Sequence, residues 1–210
     1  MRKDLISSLV AVVVLTLALG VAYPLAVTGI GQVAFSEQAD GSRVERDGRE
    51  VGSRLIGQAF VRETGEEDAD GNPVTEPDER YFQSRPSVSG YNPAGTFFNN
   101  LGPNQADLRD MLAANADAYL KLERPDNPGL TRSEIPPDAV TTSASSVDPH
   151  ISPENARLQA ARVARVRGLQ RDRVLDLVDE NTAGRALGFL GEPGVNVLEL
   201  NLALDPEETP

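Results

Sequence analysis

The sequence predicts a mixed α/β (α+β) protein: one N-terminal transmembrane helix, then a single extracytoplasmic domain of few strands and about three helices. Three observations lead there. An uncharged apolar run lies near the start, helix-period stretches are bracketed by cap and stop signals, and short apolar runs alternate with Gly- and Pro-rich turns. At 210 residues the chain has room for one domain and an anchor. It contains no cysteine, which excludes a disulfide framework, a thiolate metal site and a cysteine nucleophile.

The apolar run comes first. No charged residue occurs from Leu5 to Ser36, and Leu5 to Val27 is dense in Leu, Val and Ala. At 1.5 Å per residue that stretch crosses a hydrocarbon core of about 30 Å. Arg2 and Lys3 precede it, diluted only by Asp4, while Glu37 and Asp40 follow. The positive-inside bias then places the N-terminus in the cytoplasm and the remainder outside. A cleaved signal peptide is the competing reading, since Gly20-Val21-Ala22 offers a small-residue cleavage point. Against it, the apolar stretch runs on through Leu25, Ala26 and Val27 to Ile30, longer than an ordinary signal core. Pro24 is expected to kink or end the helix near Tyr23, an interfacial anchor. One span cannot enclose a transport path. The expected division is therefore an anchor and juncture over 1–36 (span about 5–27), then a domain over 37–210.

Within the domain, Arg43 to Glu50 reads as charged and turn-like, and Leu55 to Val61 as a strand. Residues 62–79, acidic and interrupted by Gly65, Gly71, Pro73 and Pro77, read as a flexible solvated loop. Tyr81 to Ser87 is extended, and polar turns follow to Pro103. Asn104 is the expected cap of a helix from about Gln105 to Leu122, with Leu108, Met111, Leu112, Asn115, Tyr119 and Leu122 on one face. Ala139 to Ser146 is expected to be extended. Ser152-Pro153-Glu154 then supplies a hydroxyl cap, a first-turn proline and a carboxylate at the positive end of the dipole. That helix runs to Arg167, stopped by Gly168, and another spans roughly Asp172 to Asn181. Val195 to Leu204 reads as a closing strand whose phase shift after Val197 calls for a bulge.

Charge narrows function. Twenty basic against 32 acidic residues gives −12, and all but two of the basic residues are arginine. Such a surface repels phosphate backbones, so nucleic acid is not a partner. Acidic excess with so little lysine fits adaptation to high salt, where repulsion is screened; an ordinary acidic protein is the alternative.

Few residues offer chemistry. No Walker loop, no Gly-x-Ser-x-Gly elbow and no His-Glu-x-x-His occurs. His150 is the only histidine. With Asp148 it could serve a serine-type triad or a carboxylate–histidine metal pair, or simply form a rigid lead-in to the helix after Ser152. Arg85 could hold a phosphate or carboxylate, or brace the fold or a partner through carbonyls or a carboxylate. Arg157, Arg162, Arg165 and Arg167 form a basic stripe, read as a salt-bridged surface or docking face. No catalytic and no metal-binding residue is assigned.

The chain resembles the KdpC subunits of the potassium-transporting Kdp ATPase. The resemblance rests on Gly52-Ser53-Arg54-Leu55-Ile56-Gly57-Gln58-Ala59-Phe60, Tyr81-Phe82-Gln83-Ser84-Arg85-Pro86-Ser87, Tyr91-Asn92-Pro93 and Asn100-Leu101-Gly102-Pro103. It continues through Asp148-Pro149-His150-Ile151-Ser152-Pro153, Leu187-Gly188-Phe189-Leu190-Gly191-Glu192-Pro193 and Val195-Asn196-Val197-Leu198-Glu199-Leu200-Asn201-Leu202-Ala203-Leu204-Asp205. It implies a non-catalytic, single-pass subunit of an ATP-driven K⁺ import complex in the cell membrane. The implied partners are a channel-like K⁺-translocating subunit, a P-type ATP-hydrolysing subunit and a small fourth subunit, with membrane lipid around the span. The implied role is assembly stabilisation and catalytic chaperoning, raising the P-type subunit's affinity for ATP. The family segment Ser-Gly-Gly-Ser, invoked in nucleotide binding, is here Gly95-Thr96-Phe97-Phe98-Asn99, so Gly95, Thr96 and Asn99 are the family-based cofactor candidates, with ATP held through a ternary complex. Arg85, Tyr91, Asn92, Asn100, Asp148 and His150 are the candidate partner contacts. A direct nucleotide-binding regulator and an anchored extracytoplasmic hydrolase or sensor are the alternatives.

Overall fold

The computed structural model describes residues 1–95, 97 and 99–205, and it forms two compact units dividing between Val51 and Gly52.

The first unit is built on a helix running without interruption from Arg2 to Ala34, long and apolar enough to cross a membrane. It comprises α1 (Arg2–Leu17), a π-helical turn (Ala18–Ala22) and α2 (Tyr23–Ala34). The helix does not end at Tyr23. Pro24 has no N–H to donate and its ring crowds the carbonyl one turn back; the wider π turn immediately before it re-registers the hydrogen bonds, and the helix continues. After the short α3 (Ser36–Ala39), the stretch expected to be only turn-like is a hairpin, β1 (Arg43–Arg46) and β2 (Arg49–Ser53). Asp47 and Gly48 join the strands with φ of 52° and 72°, the doubly left-handed turn that suits a twisted two-residue hairpin.

The second unit mixes helix and strand. The segment expected as a flexible loop is an antiparallel hairpin, β3 (Val61–Glu67) with β4 (Pro73–Pro77), in register Arg62 opposite Glu76 and Glu63 opposite Thr75. Its residues bury almost nothing. Local chemistry holds it instead: Arg62 and Glu76 pair across the strands, and the Asp68 carboxylate accepts the backbone N–H groups of Asp70 and Asn72, each at 2.9 Å. Those hydrogen bonds from Asn72 and its neighbours hold the Asp68 carboxyl below the usual carboxylate range. Conversely, no strand covers 55–60. The polar groups there are satisfied by loops: Gly57 N–H donates to Val147 O at 2.8 Å and the Ser84 hydroxyl donates to Gln58 O at 3.0 Å.

Four helices follow, one more than expected. α4 (Ala106–Glu123) has its N-cap at Gln105 rather than Asn104, and the Gln105 side-chain oxygen takes the Gly102 N–H at 2.7 Å. Its expected apolar face is only half-buried; Ala116, Leu120 and Glu123 go deepest. α5 (Pro153–Arg167) starts as its sequence dictates: the Ser152 hydroxyl accepts Asn155 N–H at 3.1 Å and donates to Asp138 at 2.8 Å, while Gly168, at φ 68°, ends it. α6 (Arg171–Glu180) packs on α5.

The expected strand Val195–Leu204 is a strand that becomes a helix. β5 (His150–Ile151), β6 (Thr182–Ala183) and β7 (Gly194–Asn196) form a three-stranded antiparallel sheet in the order β5-β7-β6. Asn196 then caps α7 (Val197–Leu204), its side chain accepting Glu199 N–H at 3.2 Å. The phase shift after Val197 marks this change of period, not a bulge: Val197, Leu200, Asn201 and Leu204 are buried at helical spacing. The core lies where α5, α6, β7 and α7 meet, around Ala160, Val163, Val178, Val195 and Leu200, with Phe82 closing it.

Candidate functional site

The candidate partner contacts separate into two groups. Arg85, Tyr91, Asp148 and His150 come together; Asn92 and Asn100 do not. Asn92 lies exposed in its own turn, its side-chain oxygen accepting Ala94 N–H at 3.0 Å, and Asn100 is exposed further along the loop. Gly95 and Asn99 lie exposed on the same loop, and Thr96 falls outside the described residues.

Arg85 is the centre of the assembled group. Its Nη1 donates to Asp148 Oδ2 at 3.0 Å, and Nη2 reaches Thr141 Oγ1 at 3.3 Å and Thr142 O at 3.4 Å. One guanidinium thus ties three separated stretches of chain together, while its Nε is buried without a partner. Tyr91 closes over this from the other side, its hydroxyl donating to the Arg85 carbonyl. Tyr91 sits at φ 62°, a left-handed conformation held by Ser87, whose hydroxyl accepts Tyr91 N–H at 2.9 Å and donates to Ser146 O at 2.6 Å. Beneath them Gly57 passes so close to the Asp148 carbonyl that a Cβ there would lie 2.5 Å from its oxygen. Only glycine fits.

Asp148 in turn organises His150. Its Oδ1 accepts His150 N–H at 3.0 Å and lies 3.5 Å from the ring Nδ1. Burial opposes ionisation of Asp148, but the hydrogen bonds from His150 and the charge of Arg85 outweigh it and hold the carboxyl below its usual range. The sign follows. A depressed carboxylate contributes stability at pH above its unfolded value of 3.8 and loses it as pH falls through the folded value. Wild type and Asp148→Asn are therefore expected to differ in melting temperature at neutral pH and to converge as the pH drops below 3.8. Tyr91 moves the opposite way, pushed by burial to about 12, so it remains a donor under all ordinary conditions.

This arrangement braces loops. The Ser152 hydroxyl, the nearest in sequence to His150, is committed to capping α5 and to Asp138, which argues against a serine-type triad. Among the described residues no three of His, Cys, Asp and Glu come together as a metal site.

The basic stripe is also engaged. Arg157 pairs with Asp179, Arg165 with Asp126 and Glu79, and Arg167 with Asp205. Arg162 is not on the surface at all. It lies buried against Glu123 at 2.9 Å, both side chains 0% exposed, and also donates to the carbonyls of Glu79 and Tyr81 and to Gln159. Burial pushes the Glu123 carboxyl up to about 7, with Arg162 opposing in part. Sequence reading missed this pair because Glu123 closes a helix where a solvated charge is the ordinary expectation; its helical spacing from Ala116 and Leu120 was the available signal.

The family model "K+-transporting ATPase, c chain" (KdpC) matches residues 5–206. The chain belongs to the KdpC family. This KdpC chain is 49% identical to a potassium-transporting ATPase KdpC subunit of Rhodospirillum rubrum, over 98% of this chain and 96% of that one. It is 46% identical to the one of Kineococcus radiotolerans, over 94% and 91%, and 43% identical to the one of Koribacter versatilis over the whole of both. Like those relatives in length, this KdpC chain has, among its described residues, one membrane-length helix and one mixed α/β unit.

Proposed function

We propose that this chain is the accessory, non-catalytic subunit of an ATP-driven K⁺ import complex. It stabilises a channel-like subunit and a P-type subunit and raises the latter's affinity for ATP. The observation that carries this reading is the family match along 5–206, in a chain whose one apolar helix begins with Arg2 and Lys3. That basic start favours a cytoplasmic N-terminus and a folded unit outside. Cytosolic ATP is then on the far side of the membrane, so the effect on ATP is indirect. Docking outside shifts the conformational equilibrium of the pumping subunits through contacts that differ between their two states.

The test is co-expression of the full complex with and without this chain. The large subunits are expected to co-purify with it, and K⁺-stimulated hydrolysis at limiting ATP to fall when it is omitted. Unchanged activity would defeat the reading. Protease added to sealed vesicles of known orientation should cut the exposed β3–β4 hairpin only from outside. Cutting only from inside, together with photo-crosslinking of ATP to this chain, would favour direct nucleotide binding at Gly95 and Asn99.

A further inference from the structure

The segment between β6 and β7 is ordered yet buries nothing. Across residues 184–193, Ala186 and Leu190 exchange two backbone hydrogen bonds of 2.9 Å, and Gly188 N–H and Phe189 N–H close on Arg185 O and Ala186 O at 3.0 and 3.2 Å. At the base Arg185 and Glu192 form an ion pair. At the tip Leu187 adopts φ 54°, a conformation disfavoured for any residue with a Cβ, and glycines at φ 83° and 78° complete the turn. The result holds three large apolar side chains in water: Leu187 84%, Phe189 68% and Leu190 50% exposed. A loop with so many internal bonds and so little burial is shaped for something outside itself.

We infer that residues 186–190 form a preorganised apolar plug that seats in a hydrophobic pocket of another protein subunit of the same ATPase complex. This rests on the accessory-subunit reading above. Charge and shape favour a protein pocket over lipid. Between Thr182 and Asn196 the only charged residues are Arg185 and Glu192, paired with each other, in a chain of net charge −12 with two lysines. Anionic headgroups recruit clusters of Lys and Arg, and an acidic domain is repelled by them. A fluid bilayer also rewards apolar area without requiring a fixed tip geometry, whereas a pocket rewards a side chain already held in its bound position. An aromatic anchor flanked by aliphatics, with its two charges paired at the base, is the composition of an interface centre.

The experiment uses the full complex. Wild-type chain is first shown to co-purify with its partner subunits; if it does not, the accessory-subunit reading fails before the plug is tested. Given that, Phe189→Asp should weaken binding of the detergent-solubilised chain to the partner subunits by about 30-fold or more, as loss of an interface anchor does. Its melting temperature should stay unchanged, because the side chain is mostly exposed. Affinity within about twofold of wild type, well under the tenfold that 1.4 kcal/mol represents, overturns the plug and leaves the accessory reading standing. Phe189→p-benzoylphenylalanine, irradiated in the reconstituted complex, should yield an adduct with one partner subunit. An adduct with lipid alone, or none, overturns the inference. Should the Asp variant fail to fold, the photo-crosslink decides by itself.

Discussion

Arg162→Met is expected to destabilise the folded unit by about 3–5 kcal/mol above neutral pH, the cost of leaving a buried carboxylate without its counter-charge. For a domain of this size that is a drop of roughly 6–20 °C in melting temperature. The geometry explains the severity. Glu123 Oε1 receives the Arg162 Nε at 2.9 Å, and Glu123 Oε2 is buried with no partner, so no second donor is in place to take over. Arg162 also satisfies the carbonyls of Glu79 and Tyr81, which join the segment after β4 to α5. The pH dependence distinguishes this from simple loss of packing. Glu123 ionises in the fold at about 7 against an ordinary 4.5, so the folded state holds its proton more tightly and stability falls as pH rises through that window. Removing the guanidinium raises the folded value further. The gap between variant and wild type should therefore be smallest below pH 4.5, where only the lost carbonyl hydrogen bonds remain, and widen with rising pH. A pH-independent gap in thermal melts of the full chain in detergent would contradict the account. Glu123→Leu combined with Arg162→Met should recover the charge-dependent part and not the carbonyl hydrogen bonds.

Asn201→Leu is the second large effect. The Asn201 side chain, buried in α7, accepts Phe82 N–H at 2.8 Å and donates to Phe82 O at 3.0 Å, across more than a hundred residues of chain. It does for an irregular segment what a neighbouring strand does in a sheet, and so places Phe82, wholly buried, against α5 and α7. Leucine matches asparagine in shape but leaves two buried backbone groups unpaired. At about 1–3 kcal/mol each, the expected loss is roughly 2–6 kcal/mol. Urea or thermal unfolding of the full chain measures it. Asn201→Asp, which keeps the acceptor for Phe82 N–H and loses the donor, should fall lower still at neutral pH, because it adds an uncompensated buried charge.

Much of the architecture is legible in local chemistry. Ser152-Pro153-Glu154 and Gly168 bound α5 to the residue, because capping and left-handed termination depend on neighbours three or four positions away. The helix over 106–123 and the short α6 follow equally from apolar spacing. The misreadings have a common origin. Asn196 ends a strand and begins a helix at once, so the alternation of Leu200, Leu202 and Leu204 looked like strand while the buried set was helical. The acidic stretch 62–79 folds as a hairpin with nothing beneath it, and composition reports burial better than it reports hydrogen bonding. Of the candidate contacts, Arg85, Tyr91, Asp148 and His150 were each recognisable as residue types. Their convergence was not, since Arg85 meets Thr141 and Asp148 only when distant loops close over Gly57.

By itself the sequence determined the membrane-length helix, the cysteine-free acidic character and the local helix boundaries, because each depends on composition or on spacing within a few turns. Its ordered motifs also determined the family. Only the tertiary structure decided which charges are buried, which loops brace one another and which apolar side chains remain in water. The physical reason is that burial is a property of pairs far apart in the chain. Residue type points the wrong way for both Arg162, a charge expected at the surface, and Leu187, an apolar side chain expected inside: the first lies at 0% exposure and the second at 84%.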